Sequence, residues 1–456
     1  MKDKDAIIAE LKEQIKVMAE YIKQLEERIA QLEKNSGNSS MPPSSDIVKP
    51  SRRAARKKVR LKRGGQPGHK KHERKPFASE QIDQTIEYEL NSKDAAGLEP
   101  LDQWHIIQQV TLPQKLYYVT EHRGRKYLDP QNGKVITTPL PAEVIKGGLF
   151  GADMTALTAF LKGGCHMSFS TIESFFQEIL KLKVSRGMLC KKVTSVSEAL
   201  KPSYQELVEK LPDESNIGID ETGHKDEGKK HWTWCFQTPD YSLFHIDISR
   251  GSKVLFDILG KEFSGIINCD FYGAYRKFFR LTPARVQYCM AHLIREIKFL
   301  AELTDKKLAR WGQELLGWLK KLFDTLHHAE RYSLKGYACK IKRIEEGFLK
   351  KVRRPPDHKL TKKLSRRFRA EAAETYFGFL READIAPTNN GTEREIRHTV
   401  IDRKITQGTR GDSGMRWCER TWTTIATCKK QNKNVFEFIH QSILAHWNND
   451  KYHSLV

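Results

Sequence analysis

The chain has 456 residues, enough for two to four domains and a sizeable buried core. Its 79 Lys+Arg against 57 Asp+Glu leave a formal charge of +22, which points either to a polyanionic partner, nucleic acid before an anionic membrane, or to a generally basic solvated surface. No run of about 18 uncharged apolar residues reads as a membrane span. No apolar signal core follows Met1-Lys2-Asp3-Lys4-Asp5, and the eight cysteines form no Cys-x-x-Cys pair, so the expectation is a cytoplasmic, nucleoid-associated protein with reduced thiols.

Residues 3–34 carry a heptad repeat. Ile8, Ile15, Ile22 and Ile29 hold one position, and Leu11, Met18, Leu25 and Leu32 lie three residues after each. Ile at a with Leu at d predicts a parallel coiled coil and hence a homodimer or higher homo-oligomer; the other reading is an amphipathic helix folded back on its own chain. A Ser/Asn/Pro-rich linker opens the next stretch, 35–75, and a basic arm closes it: residues 51–75 hold twelve Lys/Arg and one acid. The candidate DNA contacts there are Arg52, Arg53, Arg56, Lys57, Lys58, Arg60, Lys62 and Arg63, the last beginning Arg63-Gly64-Gly65-Gln66-Pro67-Gly68-His69. Such a Gly/Pro hinge can lie in a minor groove, and a disordered polyelectrolyte arm fits as well.

Residues 76–150 read as a small β segment. Strands are expected around Trp104-Ile106 and Tyr117-Val119, with a hairpin turning at Asp129-Pro130-Gln131-Asn132-Gly133. From 151 to 212 the pattern is helical. A helix over 169–180 and a second one capped by Ser185 suit a helix-turn-helix with Arg186, Lys191 and Lys192 on its second helix, or an ordinary helical hairpin.

Beyond residue 213 the order is three strand runs, a helix over Ser252 to Leu259, and a fourth strand run. The strand runs are Ile217–Asp220, Lys230–Phe236, Leu243–Ile248 and Gly265–Asp270, with turns expected at Gly223-His224 and Thr238-Pro239-Asp240. A three-strand meander followed by a crossover matches a ribonuclease-H-like sheet. A charged helical insertion at about 293–385 would interrupt this core, which is expected to span 213–410, and helices over 411–456 close the chain. The fold class is therefore α+β and multidomain: a ribonuclease-H-like mixed sheet with a helical insertion, preceded by a coiled coil, a small β segment and a helix-turn-helix.

Two of these strand runs end in an aspartate, Asp220 and Asp270. Each alone reads as a strand-end capping residue; together, on neighbouring strands, they supply the oxygen ligands that Mg²⁺ or Mn²⁺ needs. The third acid is Glu393, which shares a helix face with Ile396 and Val400, whereas Glu395 lies beside His398 and Thr399. Glu393 can also serve as capping-box partner to Asn390 or as an ion-pair partner of Arg397. Glu221 and Asn390 neighbour the candidate ligands. Cys289-Met290-Ala291-His292 is either half of a zinc site or places His292 near the carboxylates.

These stretches, taken with Asn38-Ser39-Ser40-Met41-Pro42-Pro43-Ser44-Ser45-Asp46, Asp270-Phe271-Tyr272-Gly273-Ala274-Tyr275 and Asn389-Asn390-Gly391-Thr392-Glu393-Arg394, resemble the transposase of bacterial insertion-sequence family sixty-six over nearly the whole chain. The resemblance implies a DDE transposase. Asp220, Asp270 and Glu393 match its metal-binding triad, and terminal repeats and target DNA would be its double-stranded substrates, with element-encoded helper proteins as further partners. One departure is plain: the family's four-cysteine zinc-binding segment has no counterpart, because residues 51–150 contain no cysteine. The competing reading is a non-catalytic DNA-binding protein descended from such an enzyme.

Overall fold

The computed structural model describes residues 11–22, 25, 29, 75–90, 93, 98–99, 101–102, 104–369, 374–382 and 384–456. Residues 11–22 are helical (α1), and Leu11, Ile15, Met18 and Ile22 are exposed on it, as are Leu25 and Ile29 further on. The remainder of the heptad stretch, the linker, and Arg52, Arg53, Arg56, Lys57, Lys58, Arg60, Lys62 and Arg63 lie outside the described residues. The chain divides into two units, one of residues 52–121 and one holding the rest.

Within 75–121 Gln108 makes a long-range clasp. Its side-chain amide accepts from the Phe77 N–H at 2.6 Å and donates to the Phe77 carbonyl at 3.1 Å. The strands expected at Trp104-Ile106 and Tyr117-Val119 do not form: no ladder partner faces them among the described residues, and Ile106, Tyr118 and Val119 stay exposed. The hairpin does form. Lys126–Leu128 (β1) pairs antiparallel with Val135–Thr137 (β2), and Gly133 in the turn takes φ 70°.

A helical layer follows: Ala142–Gly147 (α2), Ala152–Gly163 (α3), Phe169–Glu178 (α4) and Arg186–Lys210 (α5). Ser168 and Ser185 cap α4 and α5 by accepting the N–H of Thr171 and Met188, which fixes both starts by ordinary N-cap chemistry.

The sheet is built around Asn216–Asp226 (β3) and Lys229–Gln237 (β4). They join through Glu227-Gly228, both at positive φ, the pairing that a two-residue hairpin turn demands. The turn expected at Gly223-His224 is thus mid-strand, and Asp220 lies inside β3 and not at its end. The extra strand length is held by pairing to β4 up to Asp226↔Lys229. Ser242–Asp247 (β5) continues the antiparallel meander. Ser252–Leu259 (α6) then crosses to Ile266–Cys269 (β6), which runs parallel to β3. Gly273–Phe279 (α7) leads to Arg285–Tyr288 (β7), parallel to β6, giving the order β5-β4-β3-β6-β7. Strand β7 went unread because four residues with alternating polar side chains carry almost no periodic signal.

Met290–Ala301 (α8), Lys306–His327 (α9), Leu334–Val352 (α10), Lys359–Ser365 (α11) and Glu374–Phe377 (α12) form the helical insertion between β7 and the last three helices. Those are Asn390–Thr406 (α13), Asp412–Lys430 (α14) and Val435–Asn448 (α15). Helix α14 closes the open edge of the sheet. Glu419, Thr423 and Thr427, one per turn, accept the N–H groups of Ile246, Phe244 and Ser242 at 2.6, 3.0 and 3.3 Å, so the edge strand is left with no row of bare donors. Ile217, Ile219, Trp234, Phe236, Leu243, Phe244 and Ile267 are all fully buried in the core.

Candidate active site

Alternation along β3 sends neighbouring residues to opposite faces of the sheet. Asp220 lies on the side covered by α13 and α14, where Thr222 accepts from Arg403 and His224 meets Thr409 and Trp422. Glu221 points the other way, toward α7. Its Oε1 accepts from Arg250 Nε and Nη2 at 2.8 and 2.7 Å, and its Oε2 accepts from the Tyr275 hydroxyl at 2.5 Å. Asp270 follows β6 directly and accepts the Tyr272 N–H at 2.9 Å, which holds it at the mouth of the β6–α7 connection.

Helix α13 is pressed onto this end of the sheet by two glycines. A Cβ on Gly218 would stand 2.3 Å from Thr392 Oγ1, and one on Gly391 would stand 2.7 Å from Gln237 Oε1. Asn389 locks the helix start: its amide donates to the Ile219 carbonyl at 2.8 Å and its N–H to Cys289 Sγ at 3.1 Å. Asn268 and Asn216 tie the preceding segment to β6 and β3 through the carbonyls of Ala386 and Asp384. Glu393 therefore emerges at a defined place, where Arg295 Nη2 lies 3.2 Å and His292 Nε2 3.6 Å from its Oε1. Glu395 faces Lys430 of α14 instead, at 3.7 Å.

The electrostatics register the acids' proximity at Asp220. Burial, then the charges of Glu221, Asp270 and Glu393, hold the Asp220 carboxyl well above the usual carboxylate range. Burial and then Glu221 raise Asp270 to about 7, against the pull of the Tyr272 N–H and Arg250. Glu221 is also raised by burial, with Arg250 and Tyr275 opposing. Burial and the adjacent Arg295 lower His292 to about 4, which keeps it neutral near pH 7.

A buried Asp220 carrying the charge of Asp270 and Glu393 suits a hard divalent cation, and the all-carboxylate donor chemistry fits Mg²⁺ or Mn²⁺. As the side chains stand, no three His, Cys, Asp or Glu groups among the described residues enclose a metal ion, and Glu393 is engaged by Arg295. Cys289 accepts the Asn389 N–H, no zinc-type cluster surrounds it among the described residues, and His292 is the member of that pair that lies near Glu393. Asn390 is exposed on the lip of a cavity of about 740 Å³ shared with Glu393, Arg394 and Arg397, and it is its neighbour Asn389 that ties the helix start to β3 and Cys289. Of the helical-layer cations, Lys191 is exposed, Arg186 pairs with Glu173 at 2.8 Å, and Lys192 turns inward, donating to the Gly147 carbonyl and lying over the Trp447 ring. Lys192 is half-buried, and its ammonium already has partners within the chain where a DNA contact was expected.

Arg250 and Tyr275 were missed in the sequence. A signal existed for Arg250: it directly precedes the N-cap of α6, where a cation opposes the helix dipole and so needs another partner.

The mixed sheet thus gathers acidic groups beside a parallel strand pair, on a chain of formal charge +22. The family model described as Transposase IS66 family matches residues 147–417, more than half of the chain, and the chain belongs to that family. Residues 2–75 match a family of unknown function, DUF6444. No curated protein matches the chain. No helix of the described residues is long and apolar enough to cross a membrane.

Proposed function

We propose that this transposase is of the DDE type and acts through Asp220, Asp270 and Glu393 on DNA. The observation that carries the reading is the packing together of β3, the end of β6 and the start of α13, which brings acids 50 and 123 residues apart in sequence near enough that the charges of Asp270 and Glu393 act on Asp220. The strand order supports a ribonuclease-H-like core: an antiparallel meander, then two parallel strands reached by helical crossovers, with an insertion of helices before the glutamate helix.

Asp220 and Asp270 would hold a divalent cation, with Glu393 completing the set. Such a cation, when bound, lowers the pKa of an attacking water and offsets charge on the leaving oxygen. The protein's part is placement. Gly218, Gly391 and Asn389 set the depth of α13, and Arg295 orients the Glu393 carboxylate. In the first reaction a water oxygen attacks phosphorus and the bond from phosphorus to the 3′ oxygen breaks, freeing a 3′-hydroxyl. In the second that hydroxyl oxygen attacks a target phosphorus and a 3′ oxygen of the target leaves.

The remaining modules serve binding. Residues 3–34 dimerise the chain as a coiled coil, which the exposed apolar positions of α1 support. The basic arm contributes salt-dependent DNA affinity, and α4 with α5 forms a helix-turn-helix for element ends with Lys191 exposed on it. The test is cleavage of a duplex copied from the ends of the element that carries the gene, with Mg²⁺ or Mn²⁺. Metal-dependent release of a 3′-hydroxyl by the wild type and none by Asp270→Asn is the expected result. Binding without cleavage by the wild type would leave a DNA-binding protein.

A further inference from the structure

Beside Asp270 stands a rim of cations immobilised on aromatic rings. The Arg250 guanidinium lies between two of them, 4.5 Å from the Trp232 ring centre and 4.1 Å from that of Tyr272. Lys230 covers Trp232 at 4.9 Å, and Arg276 and Arg367 cover Phe271 at 4.9 and 4.1 Å. Phe271 and Tyr272 are the two residues that follow Asp270, so the rim and the carboxylate share one loop.

Arg250 is the best defined of these. Its Nε and Nη2 are both spent on Glu221 Oε1, and Tyr275 holds the other oxygen of that carboxylate. The guanidinium is thus fixed in plane by a buried acid and in tilt by two rings. A third of the side chain nevertheless remains exposed, and the remaining nitrogen, Nη1, makes no hydrogen bond or ion pair among the described residues. A counter-charge for Glu221 alone needs neither the aromatic sandwich nor an outward-facing nitrogen. A fixed planar cation with free donors next to a candidate catalytic carboxylate matches a phosphate oxygen, and rings beside it match the faces of bases.

We propose that Arg250, clamped by Glu221, Trp232 and Tyr272, is a phosphate-binding residue that holds the DNA backbone one phosphodiester from the bond being cut at Asp270. The proposal rests on the catalytic reading above and adds a substrate contact to it. Lys230 and Arg276 continue the same track on either side.

The experiment uses the full chain, the element-end duplex and two variants, Arg250→Gln and Arg250→Lys. At saturating DNA, Arg250→Gln is expected to slow cleavage by about 10²-fold, the loss typical of one fixed donor. Arg250→Lys, which keeps the charge but not the fork, is expected to lose about 10-fold while melting with the wild type. A neutral methylphosphonate at the neighbouring phosphate should slow the wild type by a similar factor and slow Arg250→Gln no further. Cleavage by Arg250→Lys and Arg250→Gln within threefold of wild type, or a methylphosphonate penalty undiminished in Arg250→Gln, overturns the assignment. If the wild type cleaves no faster than Asp270→Asn, the catalytic reading fails by itself, and the phosphate contact is then decided by binding. In that arm the slope of log affinity against log salt for a random-sequence duplex falls by about 0.9 in Arg250→Gln if the contact exists and stays unchanged if it does not.

Discussion

Strand β4 and the stretch around Trp104 look alike on paper. Lys230-His231-Trp232-Thr233-Trp234-Cys235-Phe236 and Trp104-His105-Ile106-Ile107 both mix aromatic, polar and apolar residues. In the first, Trp234 and Phe236 are 0% exposed; in the second, Ile106 is 75% and Ile107 79% exposed. The difference is company. β4 has β3 on one side, β5 on the other, and helices over both faces, whereas the Trp104 stretch has no paired strand among the described residues. Strand preference is a fit to neighbours more than a property of the segment, so the same residues become structure only where other layers bury them.

The contrast can be broken or sharpened by substitution. The largest effect is expected in the packed region at Asp270. Asp270→Asn removes a cation-binding charge without changing size, so cleavage should drop at least about a thousandfold, or roughly 4 kcal/mol of barrier. DNA binding, measured by filter retention, should persist; loss of both together would mean the residue supports the fold.

Next is a pH effect at His224, buried between β3 and Trp422, which burial and then Arg403 lower to about 4. The unfolded chain, with histidine near 6.5, takes up more protons between those values. His224 therefore favours the native state fully above about pH 6.5 and loses that contribution as pH falls toward 4, by up to about 3 kcal/mol. Asp270, raised to about 7, works in the opposite sense, its stabilisation fading as pH rises toward 7. The measurement is thus the difference in unfolding free energy between wild type and His224→Gln, which should shrink toward low pH. A constant difference would show that the ring titrates in the fold as it does in the unfolded chain.

A smaller effect is expected from Gly218→Ala. The new methyl would meet Thr392 Oγ1 at 2.3 Å, so α13 must shift, at a cost of about 1–3 kcal/mol. Because Glu393 rides on α13, cleavage should fall more than stability alone explains, and Thr392→Ala should restore part of it. No rescue would uncouple the helix position from the site.

The smallest change is expected at Tyr118, which is 98% exposed. Tyr118→Ser should alter thermal stability by less than about 0.5 kcal/mol. A larger loss would show that this stretch packs against a partner in solution, and the comparison with β4 would have to be redrawn.

Much of the candidate site was legible in one dimension. Asp220, Asp270 and Glu393 stood out because two apolar runs lead into acids and a third acid shares a face with Ile396 and Val400. The helix start at Ser185 was readable from its cap, and so was the hairpin at Asp129-Gly133 from its turn residues. What was not legible depends on distance in space. That β3 runs past Asp220 to Asp226 follows from its pairing with β4, and β7 exists because β6 and the Gln287 contacts with Tyr376 and Phe379 hold it.

Residue types and local spacing determined which groups are acidic, which segments bury an apolar face and where helices begin, because these depend on neighbours a few positions away. Only the tertiary structure decided that Lys192 turns inward, that Asn389 and not Asn390 anchors α13, and that Arg250 stands fixed beside Asp270. Each of those outcomes depends on a partner far along the chain: Trp447 for Lys192, Ile219 and Cys289 for Asn389, and Glu221 for Arg250. A side chain's charge is written in its own letter, but where that charge is spent depends on which remote group the fold brings within about 3 Å of it.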